Sequence, residues 1–158
     1  MEKLRKRLIR LPKRRFLLDT NVFIAAFKSG YTWTTQLILK LLTDPSIELI
    51  INSVLLEEYK FWLNKLSNKL PGIKEQAKIL YSLIISKATL VEPDSYHIEQ
   101  CKPFIPKNEL ADLYHAATCL KANAILITND KDFDKIAEKG VIEVWGITKA
   151  VKELLKKE

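Results

Sequence analysis

Phe16-Leu17-Leu18-Asp19-Thr20-Asn21 is an apolar run that stops abruptly at an acid. A short, unbroken apolar run with a polar end reads as a strand buried on both faces, which sets Asp19 at its carboxyl end. In open parallel sheets that edge is where ligands bind. The stretch Ala124-Ile125-Leu126-Ile127-Thr128-Asn129-Asp130 repeats the pattern. Two buried strands therefore end in carboxylates, and the two ends are expected side by side.

Working outward, Val22 to Phe27 reads as a short helix closing at Ser29-Gly30, where glycine suits a left-handed stop. Over 31–43, Trp33, Leu37, Ile38, Leu41 and Leu42 recur at helical spacing. Leu49-Ile50-Ile51 marks a second strand, and Asn52-Ser53 caps a helix whose stripe is Val54, Leu55, Tyr59, Trp62, Leu63 and Leu66. That helix breaks at Leu70-Pro71-Gly72. There follow a helix over 73–86, a short strand over 88–91, a turn at Glu92-Pro93-Asp94 and a helix kept short by Pro103 and Pro106. Lys107-Asn108-Glu109 opens the next helix, whose small residues allow close approach to a sheet. After the Ala124 strand come a helix starting in Asp130-Lys131-Asp132-Phe133, a Gly140 turn, a strand over 141–145 and a basic helix from Thr148. This alternation predicts an α/β fold in which helices cover both faces of a parallel sheet.

At 158 residues the chain is about one domain, able to fold without staples. Hydrophobic residues make up 47% and charged residues 28%, which excludes disorder as the default. No apolar run approaches the roughly 18 residues that span a bilayer, and the cationic N-terminus lacks an apolar signal-peptide region. A cytoplasmic protein with no membrane partner is expected. Cys101 and Cys119 have neither Cys-x-x-Cys spacing nor a histidine pattern, so each is read as an apolar filler. The net charge of +7 owes much to Lys3, Arg5, Lys6, Arg7, Arg10, Lys13, Arg14 and Arg15. Residues 1–15 thus form a basic arm before the domain of 16–158. Such a block is either a solvated tail or a footprint for phosphate backbones, with Arg10, Lys13, Arg14 and Arg15 the candidates for contacting RNA.

Asp19, Glu58, Asp112 and Asp130 are all expected at the carboxyl edge of the sheet or in the first turns of helices starting there. Hard cations such as Mg²⁺ or Mn²⁺ take oxygen ligands, and clustered carboxylates repel one another unless a cation joins them. A bound divalent ion activates water and stabilises charge on a phosphodiester. Each acid also has a plain structural reading. Asp19 and Asp130 would serve as helix caps, Asp112 as a complement to the helix dipole, and Glu58 or its neighbour Glu57 as a solvated helix residue. Thr20, Asn21, Thr128 and Asp132 either orient the carboxylates or bond to loop backbone. His115, isolated in sequence, is read as structural.

The order of the motifs adds to this. Leu-Leu-Asp19-Thr-Asn-Val-Phe, Ser53-Val-Leu-Leu-Glu-Glu58-Tyr, Glu109-Leu-Ala-Asp112-Leu-Tyr-His-Ala-Ala and Ile-Leu-Ile-Thr128-Asn-Asp130-Lys-Asp132-Phe133 together resemble the PIN-domain family of metal-dependent ribonucleases. The resemblance runs from Phe16 to the C-terminal helix. It implies a Rossmann-like, three-layer α/β/α sandwich with a central parallel sheet. It also implies a Mg²⁺ or Mn²⁺ site held by Asp19, Glu58, Asp112 and Asp130, with Thr128 and Asp132 in support and Glu57 alignable in place of Glu58. Many members are toxins of toxin–antitoxin pairs, and others process RNA. A single domain resembles the toxin-type, VapC-like arrangement, whereas the basic arm departs from a minimal toxin. The expectation is therefore an endoribonuclease, with an antitoxin protein and a homodimer as candidate partners. The alternative is a non-catalytic RNA-binding module in which the acids are caps. A nucleotide-binding protein is disfavoured, since no Gly-rich phosphate loop follows either strand.

Overall fold

A computed structural model of the chain describes residues 13–28, 32–70 and 72–155. Most of the basic block, Arg10 included, and the Ser29-Gly30 stop lie outside these residues.

The Phe16 run is a strand, and its apolar residues are sealed from water on both faces. β1 (Arg14–Leu18) has Phe16 and Leu17 fully buried. It starts two residues before the apolar run, so Arg14 and Arg15, read as the end of the arm, are strand residues. The other strands are β2 (Ile47–Ile51), β3 (Thr89–Leu90), β4 (Ile125–Ile127) and β5 (Val144–Trp145). They pair in the order β3-β2-β1-β4-β5, and every pairing is parallel. β3 and β5 are shorter than the apolar runs that suggested them, because pairing at each sheet edge involves only two residues.

Among the described residues eight α-helices cover the sheet: α1 (Thr20–Lys28), α2 (Trp33–Thr43), α3 (Ser53–Lys69), α4 (Lys74–Lys87), α5 (Ser95–Cys101), α6 (Leu110–Ala122), α7 (Asp134–Glu138) and α8 (Ile147–Leu154). α6 can lie close across β1, β2 and β4 because Ala116, Ala117 and Thr118 are small and fully buried. It stops at Asn123, whose left-handed backbone (φ 53°) lets its N–H reach Cys119 and Leu120. α2 packs on β2, with α1, α4 and α8 around it. The result is the expected three-layer sandwich. Cys101 and Cys119 are buried free thiols, as the filler reading required. No helix among the described residues is long and apolar enough to cross a membrane.

The sheet order places the site. Connections leave β1 for β2 on one side and reach β4 on the other, so the crevice of this parallel sheet opens between the carboxyl ends of β1 and β4. Register aligns Leu18 with Ile127. The residues that follow, Asp19 and Thr128, therefore emerge together, with the Asp19 N–H donating to the Ile127 carbonyl at 3.0 Å.

Candidate metal centre

Asp19 leaves β1 just before α1 and is 6% exposed. Its Oδ1 accepts from the Thr20 N–H at 2.8 Å, and its Oδ2 accepts from Thr128 Oγ1 at 2.7 Å. Its own carbonyl accepts from Val22 and Phe23, so the capping role and the pocket position coexist. Burial pushes the carboxyl above its ordinary range against the pull of the Thr128 hydroxyl. One residue back, the Leu18 carbonyl accepts from the hydroxyl of fully sequestered Tyr59, which anchors the strand end to α3.

Thr128 joins the two strand ends. Besides donating to Asp19, its hydroxyl accepts from the Asp130 N–H at 3.0 Å. Asp130 Oδ1 caps the following turn through the Asp132 N–H at 2.9 Å. Asn129 Oδ1 accepts from the Ile147 N–H at 3.0 Å, which ties this loop to the start of α8. A Cβ on Gly146 would come within 3.2 Å of that oxygen, so the approach depends on glycine. Thr20 contributes its backbone N–H, while its buried hydroxyl has no hydrogen-bond partner among the described residues. Asn21 is exposed and reaches Thr128 Oγ1 only at 3.5 Å.

Asp112 arrives from the first turn of α6. Burial, a hydrogen bond with the Asp132 side chain and the nearby charges of Asp19 and Asp130 raise its carboxyl from 3.8 to about 8. Three of the acids named from sequence thus act on one carboxyl. The tightest group lies slightly outside that set. Glu109, Asp112 and Asp132 each offer an oxygen within 4.8 Å of the others. Asp132, read as supporting, touches Asp112 directly, and Glu109, read as a helix opener, joins it. Among the described residues no lysine or arginine forms an ion pair with Asp19, Glu109, Asp112, Asp130 or Asp132. Oxygen donors that repel one another and lack a protein cation suit a hard divalent ion.

Glu58 reaches the same crevice from α3, and its charge acts on Asp19. Glu57 is exposed, and no hydrogen bond or ion pair among the described residues ties it to Asp19, Asp112 or His115. What holds Glu58 is His115, 1% exposed, whose Nε2 lies 2.6 Å from Glu58 Oε1. The other ring nitrogen, Nδ1, faces Asn52 Nδ2 at 3.0 Å. Asn52 Oδ1 is already committed to capping α3 through the Leu55 N–H at 2.7 Å, so the amide nitrogen must be the atom facing the ring. It also donates to Thr118 Oγ1 at 3.0 Å. Nδ1 is therefore the acceptor, and the proton sits on Nε2, aimed at Glu58. A second clamp joins the same two helices. Glu92 accepts from the Ser53 N–H and hydroxyl at 2.6 Å each and from Tyr114 OH at 2.8 Å.

Sequence reasoning missed His115, Glu109 and Glu92. The signal for the first two was spacing: Asp112 lies three residues after Glu109 and His115 three after Asp112, so each pair stands on neighbouring turns.

The PIN domain family model matches residues 16–139. The chain belongs to the PIN-domain family. Its members are generally nucleases, and the site described above is where this PIN domain gathers its acids. No curated protein matches the sequence. The PIN fold here is similar to that of VapBC2 from Rickettsia felis, solved bound to a DNA fragment from its promoter. The TM-score is 0.58 at 18% identity, over 84% of this chain and 98% of that one. VapBC-1 from nontypeable Haemophilus influenzae gives a TM-score of 0.54 at 22% identity, covering 85% and 98%. FitAcB from Neisseria gonorrhoeae gives 0.58 at 21% identity, covering 84% and 98%.

The basic residues lie elsewhere. Arg14 and Arg15 begin β1, so they sit at the sheet edge opposite Asp19, about 13–17 Å away at the usual strand rise. Arg14 lies over the rings of Phe16 and Trp145 at 5.4 and 5.3 Å. Arg15 pairs with Glu48 at 3.0 Å and donates to the Ala122 carbonyl. Lys13 is exposed just before the strand.

Proposed function

We propose that this chain is an endoribonuclease that hydrolyses RNA phosphodiesters with Mg²⁺ or Mn²⁺ as cofactor. The observation that carries the reading is the Asp112 carboxyl, pressed by Asp132, Asp19 and Asp130 in the crevice between β1 and β4. When bound, a divalent ion supplies an activated water and neutralises charge developing on the phosphate. Asp19, Asp112, Asp130 and Glu58 hold it, with Asp132 and Glu109 beside Asp112. Thr128 keeps Asp19 and Asp130 aligned. Thr20 supports Asp19 through its amide, and Asn21 stands at the rim. The basic residues 1–15, among them Arg10, Lys13, Arg14 and Arg15, attract the polyanion over a distance.

The VapBC neighbours support a toxin-type role with an antitoxin as protein partner. Leu39, Ile79 and Leu83 on α2 and α4 are 41%, 61% and 44% exposed, and a second copy would pack there as a homodimer.

The test is incubation of the purified chain with RNA in Mn²⁺, in Mg²⁺ and in EDTA. Cleavage with either metal, lost in EDTA and in Asp112→Asn of unchanged melting cooperativity, is the expected result. Cleavage by Asp112→Asn equal to that of the parent would defeat the reading.

A further inference from the structure

α3 carries an aromatic pair on the outside of the molecule. Phe61 and Trp62 follow Glu58 by three and four residues, and their rings meet edge to face at 86° with centroids 5.5 Å apart. Lys65, one turn further, holds its Nζ 4.9 Å from the Trp62 ring and 5.9 Å from the Phe61 ring. Phe61 is 59% exposed and Trp62 half-buried, unlike the core rings Phe16, Phe23, Tyr59 and Phe133, while Trp33 and Tyr96 are exposed elsewhere on the surface.

The location gives the pair its meaning. Ser53, Val54, Glu57, Glu58, Phe61 and Trp62 line one shallow groove. The carboxylate whose charge acts on Asp19 and the two rings, Phe61 exposed and Trp62 half-buried, thus share a wall. Glu58 and the rings are separated by about 4.5–6 Å along the helix axis, and Glu58 is the residue of the proposed acidic site that lines this groove.

We propose that Phe61 and Trp62 form a stacking platform for an unpaired base of RNA, one nucleotide from the phosphate at the acidic site, with Lys65 meeting the backbone. The inference rests on the nuclease reading and adds to it a base-binding subsite on α3. Aromatic faces stack on any base, and an ammonium beside them complements the phosphate that each base carries. Bases in a duplex already stack on one another, so the platform takes only unpaired ones. A protein partner would also cover apolar area. The shared wall with Glu58 and the lysine over the rings favour the nucleic acid.

The experiment uses the full chain in EDTA, where RNA is bound and not cut, and a short single-stranded RNA bearing 2-aminopurine. Stacking on the platform quenches that base, and titration gives its affinity. The double variant Phe61→Leu/Trp62→Leu keeps the apolar bulk but removes the π-faces. It should lose the quenching and bind roughly 5- to 150-fold more weakly, the range expected for one stacked base. Phe61→Tyr should retain both. Equal affinity and quenching in the parent and the leucine variant would overturn the proposal. So would a leucine variant that binds as the parent does but changes its oligomeric state, since the patch would then be a protein interface. A parent that binds no single-stranded RNA and cleaves none in Mn²⁺ would instead remove the nuclease reading itself.

Discussion

His115 Nε2 donates to Glu58 Oε1 across 2.6 Å and so ties α6 to α3 at the mouth of the crevice. The direction of that bond is set one step further away, where the α3 cap turns the Asn52 amide nitrogen toward Nδ1. Asn52→Asp keeps an oxygen for the cap but removes the donor to the ring. The proton is then expected on Nδ1, leaving Glu58 without its partner. Nitrogen NMR shifts of His115 should report the exchanged tautomer. Mn²⁺ affinity, followed by electron paramagnetic resonance, should fall about 10- to 100-fold in this variant and in His115→Leu. Unchanged affinity in both would mean that His115 only fills space.

The two adjacent glutamates are expected to differ sharply. Glu58→Gln should weaken Mn²⁺ binding and RNA cleavage by at least about 10-fold, because the side chain faces Asp19 and is held by His115. Glu57→Gln, on an exposed side chain, should leave both within about 2-fold. Side-by-side cleavage assays decide the pair.

Asp112 predicts a pH dependence for the metal-free protein. Its carboxyl is raised from 3.8 to about 8, so between those values the folded chain keeps a proton that the unfolded chain has released. Its contribution to stability is full below 3.8 and is lost as pH rises toward 8. Asp112→Asn removes that loss. Melting in EDTA should show parent and variant alike near pH 4 and the variant more stable near pH 8. The gain is expected at about 1–2 kcal/mol, since water screens the partly exposed group. A variant less stable than the parent at the higher pH would contradict the crowding of carboxylates.

Thr128→Val keeps the shape of the residue while removing the hydroxyl that serves Asp19 Oδ2 and the Asp130 N–H. Asp19 loses a partner in a buried place and the Asp130 N–H one in a half-buried place, which together should cost about 1–3 kcal/mol in urea denaturation. Cleavage should fall as well, because Asp19 and Asp130 are no longer held by one atom. Thr128→Ser should restore both properties in large part. Stability and cleavage equal to the parent in the valine variant would show the hydroxyl to be dispensable.

The layers and the sheet edge were legible in local pattern alone. Unbroken apolar runs such as Phe16-Leu17-Leu18 and Ile125-Leu126-Ile127 have few alternatives to a doubly covered strand; Asp19 follows the first directly and Asp130 follows the second after Thr128-Asn129. Strand periodicity is local, so such residues can be placed without knowing what packs on them. Only the tertiary structure decided how the acids are shared out. Asp112 meets Asp132 more closely than Asp19 or Asp130, Glu109 joins them, and Arg14 and Arg15 begin the strand at the opposite edge. His115 turned from an isolated helix residue into the partner of Glu58 because residues 57 positions apart meet where α6 crosses α3. Hydrogen bonds depend on distances of a few tenths of an ångström between groups distant in sequence. The docking of helices on the sheet, rather than any local pattern, sets those distances.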